Sequence, residues 1–177
     1  NLDKLIDKDK WDEAKEISDS VNAERSEAFA LYLLQEKKKK GVKIHDLKEN
    51  AKILFNFVRE IEGSGCDFMV NDNMGFLEDN FKRTMHKFIF KMGDIDKKIM
   101  DETYESLILF YEMLSQSNLV SSKCFKKFKD EILEMKQELI DKMNRYNEIR
   151  HDNSIDDNEK EEIREELFDG DHAWPFL

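Results

Sequence analysis

Residues 121–146 have the sequence SSKCFKKFKDEILEMKQELIDKMNRY. Apolar side chains recur in this stretch at steps of three and four residues, which places them on one face of an α-helix. They are Phe125, Phe128, Ile132, Met135, Leu139 and Met143. Ser121 or Ser122 precedes them and can accept a hydrogen bond from the first free N–H groups as an N-cap. The stretch contains no glycine or proline, so the sequence predicts one long amphipathic helix.

Five similar stripes precede this one along the chain. They predict helices over residues 2–19, from Asn22 as N-cap to Gly41, from Asp46 to Gly63, from about Leu77 to Gly93, and from about Asp94 onward. Glycine and N-cap residues mark the boundaries between them. None of the stripes alternates with a period of two residues, so no β-strands are expected. The predicted fold class is all-α.

The segment 64–73 separates the first three predicted helices from the last three, and its Gly, Asn and Asp residues favour a linker. The sequence therefore predicts a first three-helix bundle over 1–63 and a second over 74–146. Residues 147–177 turn acidic and predict a solvated tail with one short helix. In each bundle the centre of the middle helix, 28–34 or 107–111, is apolar all round. That pattern is expected of a helix that lies between two partners and borders a groove.

Charge and cysteine content limit the classes of partner. The formal net charge is -11, and Lys37–Lys40 is the longest run of basic residues. Such a chain repels nucleic acid and anionic lipid, so neither is an expected partner. The two cysteines, Cys66 and Cys124, form no CxxC pair, which favours a reduced cytoplasmic compartment. No apolar run reaches the roughly 18 residues of a membrane span, so no direct membrane insertion is expected.

Neither catalysis nor a metal site is predicted. The segment from Asp152 to Ile163 has the alternating oxygens of a calcium loop, but its sixth position is Asp157 rather than Gly. Its twelfth position, Ile163, cannot provide the bidentate carboxylate. The four histidines are far apart in sequence and are interpreted as helix-surface residues. Because no paired acid, base or nucleophile occurs, the chain is predicted not to be an enzyme and to need no cofactor.

The third predicted helix carries the candidate partner-binding residues. Its apolar face is wider than one packing contact needs, because a second row lies beside the main stripe. The candidates are Ile53, Leu54, Phe57, Val58, Ile61 and Glu62. The extra row either packs on the linker or the second bundle, or stays open as a groove for an amphipathic helix, with acidic residues on its rim. Similarly, the eight methionines either fill the core, which is the favoured interpretation, or line an adaptable groove.

The order of these segments resembles the LYST-interacting, ESCRT-associated activators of the vacuolar protein sorting ATPase, which begin with tandem MIT domains. The resemblance covers about residues 10–146. It is carried by residues 28–35 (AFALYLLQ), 41–44 (GVKI), 77–80 (LEDN), 88–90 (FIF) and 108–114 (ILFYEML). It implies two tandem antiparallel three-helix MIT bundles followed by the acidic tail.

The resemblance also implies a function. MIT grooves bind the C-terminal helices of ESCRT-III proteins, and the family's first unit accepts a Leu-rich, basic helix against its third helix. That match falls on Leu54, Val58, Ile61 and Glu62. The implied protein is a cytoplasmic adaptor that is recruited to endosomal membranes for sorting and membrane remodelling. The family contacts its ATPase through a C-terminal module that has no counterpart in these residues. The alternative is a generic helical scaffold with no ESCRT role.

Overall fold

The computed structural model of the chain describes residues 4, 5, 7–38, 75–92 and 95–170. Five helices contain most of these residues: α1 (Trp11–Lys38), α2 (Gly75–Met92), α3 (Lys97–Gln116), α4 (Ser122–His151) and α5 (Asp157–Leu167). Helices make up 83% of the described part, which contains no strand. The prediction of an all-α fold is confirmed. No helix in this part of the chain is long and apolar enough to cross a membrane.

Helix α1 corrects the prediction of two separate helices before residue 41. It is one continuous helix of 28 residues, so the predicted break with Asn22 as N-cap is wrong. The helix also begins at Trp11 rather than near residue 2, because residues 7–9 form a turn in which Asp9 has a φ of 56°. An interior Asn costs a helix at most about 0.7 kcal/mol relative to Ala, and neither Gly nor Pro occurs in α1. Residues 11–38 therefore lack the chain reversal that an antiparallel first bundle needs between its first two helices.

Polar side chains cap the N-termini of α3, α4 and α5. The backbone N–H of Ile99 donates to Asp96 Oδ1 at 2.8 Å, and that of Cys124 donates to Ser121 Oγ at 3.1 Å. Asp156 Oδ1 accepts from the N–H groups of Asn158 and Glu159 at 2.9 and 3.0 Å. Each cap satisfies backbone donors that have no partner inside the helix. The predicted cap at Ser121 is confirmed.

Helices α3 and α5 end on residues in the left-handed conformation. Asn118 has a φ of 57°, and beyond it the Leu119 N–H donates to the Leu114 carbonyl at 2.9 Å. Asp169 has a φ of 53°, and the Gly170 N–H donates to the Glu165 carbonyl at 3.0 Å. Both ends have the hydrogen-bond pattern of a Schellman motif, with Asn or Asp at the position where Gly is usual.

The core lies between α2, α3 and α4. Helix α4 packs on both α2 and α3. Its centre consists of large aromatic and aliphatic side chains. Phe81 meets Tyr104 and Phe128 edge to face, at centroid distances of 5.7 and 6.1 Å. The fully buried side chains here include Met85, Met100, Leu107, Tyr111, Leu139 and Met143. The favoured interpretation of the methionines as core residues agrees with these positions.

The second half of α1 adds to the same core. Phe29 and Leu33 are both 2% exposed, and the Phe29 ring packs edge to face on Phe110 at 5.3 Å. The Tyr32 hydroxyl donates to Glu112 Oε2 at 3.2 Å. Among the described helices, α1 packs on α3. The predicted linker 64–73 and the predicted third helix lie outside the described residues, so the division into two bundles remains a prediction.

The acidic region after residue 146 is more ordered than a solvated tail. Residues 147–151 continue α4, and the predicted short helix is α5, which packs back on α4. Phe168, directly after α5, is fully buried. The residues that the sequence offered as anchors for this segment are Ile149, Ile155, Ile163, Leu167 and Phe168, and Phe168 is the one most deeply buried beyond α4.

Candidate functional site

The predicted partner-binding residues, Ile53, Leu54, Phe57, Val58, Ile61 and Glu62, lie outside the described residues. Within the described part, a concave surface lies between α3 and α4. It is a solvent-open groove of about 460 Å³. Helix α3 contains residues 107–111, the apolar centre beside which the sequence predicted a groove, whereas its place as the middle helix of a second bundle remains a prediction.

The floor of the α3–α4 groove is apolar. Ile108 and Leu109 of α3 are partly buried and pack against the core with their inner sides. Leu133 of α4 is 41% exposed and lies off the face that buries Ile132. Because α3 and α4 run antiparallel, these side chains form a strip that a ligand side chain can contact from solvent. The side chain of Tyr104 completes the floor.

The two rims of the groove carry opposite charges. Asp101, Glu105 and Glu112 line the α3 side, whereas Lys129 and Lys136 line the α4 side. At one end the rims meet, because Lys136 Nζ lies 2.6 Å from Asp101 Oδ1. At the other end Glu112 accepts the hydrogen bond from Tyr32 of α1. From Asp101 to Glu112 the groove extends about 16 Å, the length of three helical turns.

The closed end of the groove is built around Tyr104. Lys136 Nζ lies 5.2 Å from the centroid of the Tyr104 ring, within the range of a cation–π contact. The Tyr104 hydroxyl is buried and has no hydrogen-bond partner among the described residues, and burial raises the pKa of this phenol. The hydrogen bond from Lys136 holds the pKa of Asp101 below its usual value. Tyr104 therefore stays neutral. At this end of the groove its ring is covered by Lys136, which pairs with Asp101.

A second cluster of polar groups lies between α2 and α4. His86 is fully buried, with its Nε2 3.2 Å from Lys142 Nζ and its ring 5.6 Å from that of Phe168. The interpretation of this histidine as a helix-surface residue is wrong. In sequence His86 lies within the apolar run of α2, between Met85 and Phe88, and that position was the signal for its burial. His151 is exposed, and His45 and His172 lie outside the described residues.

The first residues of the segment from Asp152 to Ile163 make local hydrogen bonds. Asp152 Oδ1 accepts from the N–H and hydroxyl of Ser154 at 2.8 and 2.6 Å, and Asp156 caps α5. In the part of the chain that the structure describes, no group of three or more His, Cys, Asp or Glu side chains is arranged to hold a metal. Cys124 is exposed and is a free thiol within the described part of the chain.

Known proteins supply no further guide. Comparison of the chain with protein-family models, with curated proteins and with solved structures finds no match. The class of ligand that the α3–α4 groove can bind therefore follows from its apolar floor and its charged rims. The groove is apolar at Tyr104, Ile108 and Leu109 of α3 and at Leu133 of α4, between an acidic and a basic rim, and this arrangement suits an amphipathic helix whose flanks carry complementary charges.

Proposed function

We propose that the chain is an adaptor that binds amphipathic C-terminal helices of ESCRT-III proteins and serves endosomal sorting and membrane remodelling. The observation that carries this proposal is the α3–α4 groove, with exposed apolar side chains on its floor and charged rims on either side. The resemblance to the tandem-MIT activators of the vacuolar protein sorting ATPase supplies the identity of the partner. Because ESCRT-III is the proposed partner, the proposed localisation is the cytoplasm, with recruitment to endosomal membranes.

Apolar contact provides most of the proposed affinity. A ligand Leu that becomes buried on Ile108, Leu109 and Leu133 contributes about 1.5–3 kcal/mol. An exposed ion pair on the rim contributes about 0–1 kcal/mol. The rims therefore set the orientation of the ligand, with its basic side toward α3 and any acidic side chain toward Lys129 of α4.

The first site of the proposal is the predicted third helix, where Ile53, Leu54, Phe57, Val58, Ile61 and Glu62 provide the contacts. Ile61→Asp is expected to abolish binding there, because it places a charge in an apolar contact. Glu62→Gln is expected to weaken binding only modestly and to reduce its salt dependence. Circular dichroism must show that both variants stay folded. Unchanged binding by a folded Ile61→Asp chain excludes this site.

The experiment for the proposed function is a titration of the chain with fluorescent peptides that correspond to the C-terminal helices of a panel of ESCRT-III proteins. Saturable binding of at least one peptide is expected, and a peptide of the same composition in scrambled order should not bind. A generic scaffold with no ESCRT role should bind none of them. Absence of binding across the panel, with a folded chain, excludes the proposed function.

Two leucine variants locate the binding. Leu133 in the groove is 41% exposed, and Leu119 in the α3–α4 connection is 46% exposed. Leu133→Asp should weaken binding of any peptide that occupies the groove, whereas Leu119→Asp should not. The pair is matched in residue type and exposure, so a difference between them reports position rather than loss of an exposed leucine. Equal effects exclude the α3–α4 groove.

A further inference from the structure

The end of α5 and the two residues that follow it are attached to the rest of the fold. Helix α5 has no fully buried residue, whereas Phe168 beyond its last turn is 0% exposed. Asp169 follows, with its side chain 56% exposed. The connection between α4 and α5, residues 152–156, is short and mostly exposed. Leu167, in the last turn of α5, is partly buried against the same core, so the contact that holds the end of this segment lies at 167–169.

The ring of Phe168 lies among three other rings. Its centroid is 5.4 Å from that of Tyr146 on α4, and 5.6 and 6.4 Å from those of His86 and Phe90 on α2. The contacts to His86 and Tyr146 are edge to face, the geometry that aromatic pairs prefer. The rings of His86, Phe90 and Tyr146 thus form an aromatic site between α2 and α4, and the ring of Phe168 fills it.

Two lysines beside the aromatic site contact the next residue. Asp169 Oδ2 lies 3.2 Å from Lys82 Nζ and 3.4 Å from Lys142 Nζ. Glu138 also pairs with both lysines, at 3.1 and 3.6 Å, and so fixes their positions. Lys142 is only 15% exposed and touches His86, which joins the lysine pair to the aromatic site. The combined surface therefore contacts an aromatic side chain, Phe168, and the carboxylate that follows it, Asp169.

The backbone conformation of Asp169 is a further feature of this segment. Its φ of 53° lies in the left-handed region, which costs a non-glycine residue about 1–2 kcal/mol. Gly170, which would accept that conformation freely, comes one position later. The carboxylate therefore stands at a position where glycine is usual, and it is the group that both lysines contact.

We propose that the surface between α2 and α4 is a binding site for a peptide with an aromatic residue followed by an acidic one, and that Phe168 and Asp169 occupy it in cis as a displaceable self-ligand. Recognition over two adjacent residues is the scale of a short linear motif. Because the self-ligand is tethered, an external peptide competes against an effective concentration of about millimolar. This site is separate from the α3–α4 groove and does not depend on the proposed function.

The test uses the full chain with Phe168→Ala, which empties the aromatic site. The probe is a fluorescent peptide of residues 156–170, and the control is the same peptide with its own Phe168→Ala change. The probe should bind the variant chain about tenfold or more tightly than the unmodified chain, because the cis competitor has been removed. The control peptide should bind neither chain.

Three results overturn the proposal. They are equal affinity of the probe for both chains, no binding of the probe to a folded variant chain, and loss of the helical fold in the variant by circular dichroism. The last shows that Phe168 belongs to the fold rather than acting as a ligand. Hydrogen exchange of the unmodified chain provides a second measurement. Amides of α5 should exchange about tenfold or more faster than buried amides of α4, and equal rates contradict a displaceable segment.

Discussion

The contact between α1 and α3 provides a direct test of the fold, because it shows whether α1 is docked on the core through Phe29. Phe29→Ala removes the side chain that packs on Phe110, and the position is 2% exposed. Leu31→Ala is the matched control, because Leu31 lies two residues away in the same helix and is 61% exposed. Both changes leave Ala, so their effects on helix propensity are small.

The expected magnitudes differ by several-fold. Truncation of a buried Phe to Ala lowers the free energy of unfolding by about 3–5 kcal/mol, including the cavity that remains. Truncation of an exposed Leu changes it by about 0.5 kcal/mol or less. Tyr32→Phe removes the hydrogen bond to Glu112 and should cost about 0.5–1.5 kcal/mol. The order of destabilisation is therefore Phe29→Ala, then Tyr32→Phe, then Leu31→Ala.

Urea unfolding followed by circular dichroism measures these differences, and hydrogen exchange shows where they act. Phe29→Ala should increase exchange in α1 before it does so in α4, because α1 packs on α3 among the described helices. If Phe29→Ala and Leu31→Ala change the free energy of unfolding by amounts within about 0.5 kcal/mol of each other, α1 does not dock as described.

Two further variants test the local structure. Asn22→Ala should stabilise the chain by up to about 0.7 kcal/mol in thermal or urea unfolding, because Asn22 is inside a helix, whereas loss of an N-cap would destabilise it by about 1 kcal/mol. The hydrogen bond with Lys82 holds the pKa of Asp169 below its usual value, so the stability from this carboxylate is present above about pH 4 and is lost as the pH falls below it. Asp169→Asn should therefore remove at most about 1 kcal/mol at pH 7, because the group is exposed, and should reduce the slope of stability against pH between about pH 4 and 2. An unchanged slope in urea unfolding at several pH values would show that the ion pairs contribute nothing.

The sequence predicted the helices whose apolar stripes were strong and whose ends carried clear signals. The α4 stripe and its cap at Ser121 are of this kind, since the side chain accepts from Cys124 as the spacing required. The break at Asn22 was wrong because a good N-cap residue is also tolerated inside a helix. Tertiary contacts decide whether the chain reverses direction at such an Asn or continues as one helix. The local sequence does not contain that information.

The candidate sites were harder to predict because they depend on contacts between distant segments. Leu133 lies beside Ile132 and off the core face of α4, which was a usable signal for the groove. The burial of Phe168 had a weaker signal, since a lone aromatic in an acidic segment is more often exposed. Its partners His86 and Phe90 are on α2, about eighty residues earlier in the chain. Periodicity within one helix carries no information about such a pair.

The measurement that tests the proposed function most directly is nuclear magnetic resonance of the isotope-labelled chain during titration with an ESCRT-III tail peptide. The expected result is a saturable change in the amide signals of the α3–α4 groove, above all at Ile108, Leu109 and Leu133, with little change at Leu119. Saturable binding with changes confined to other parts of the chain would contradict the groove as the site. No change at any signal, with every tail peptide of the panel, would contradict ESCRT-III binding itself.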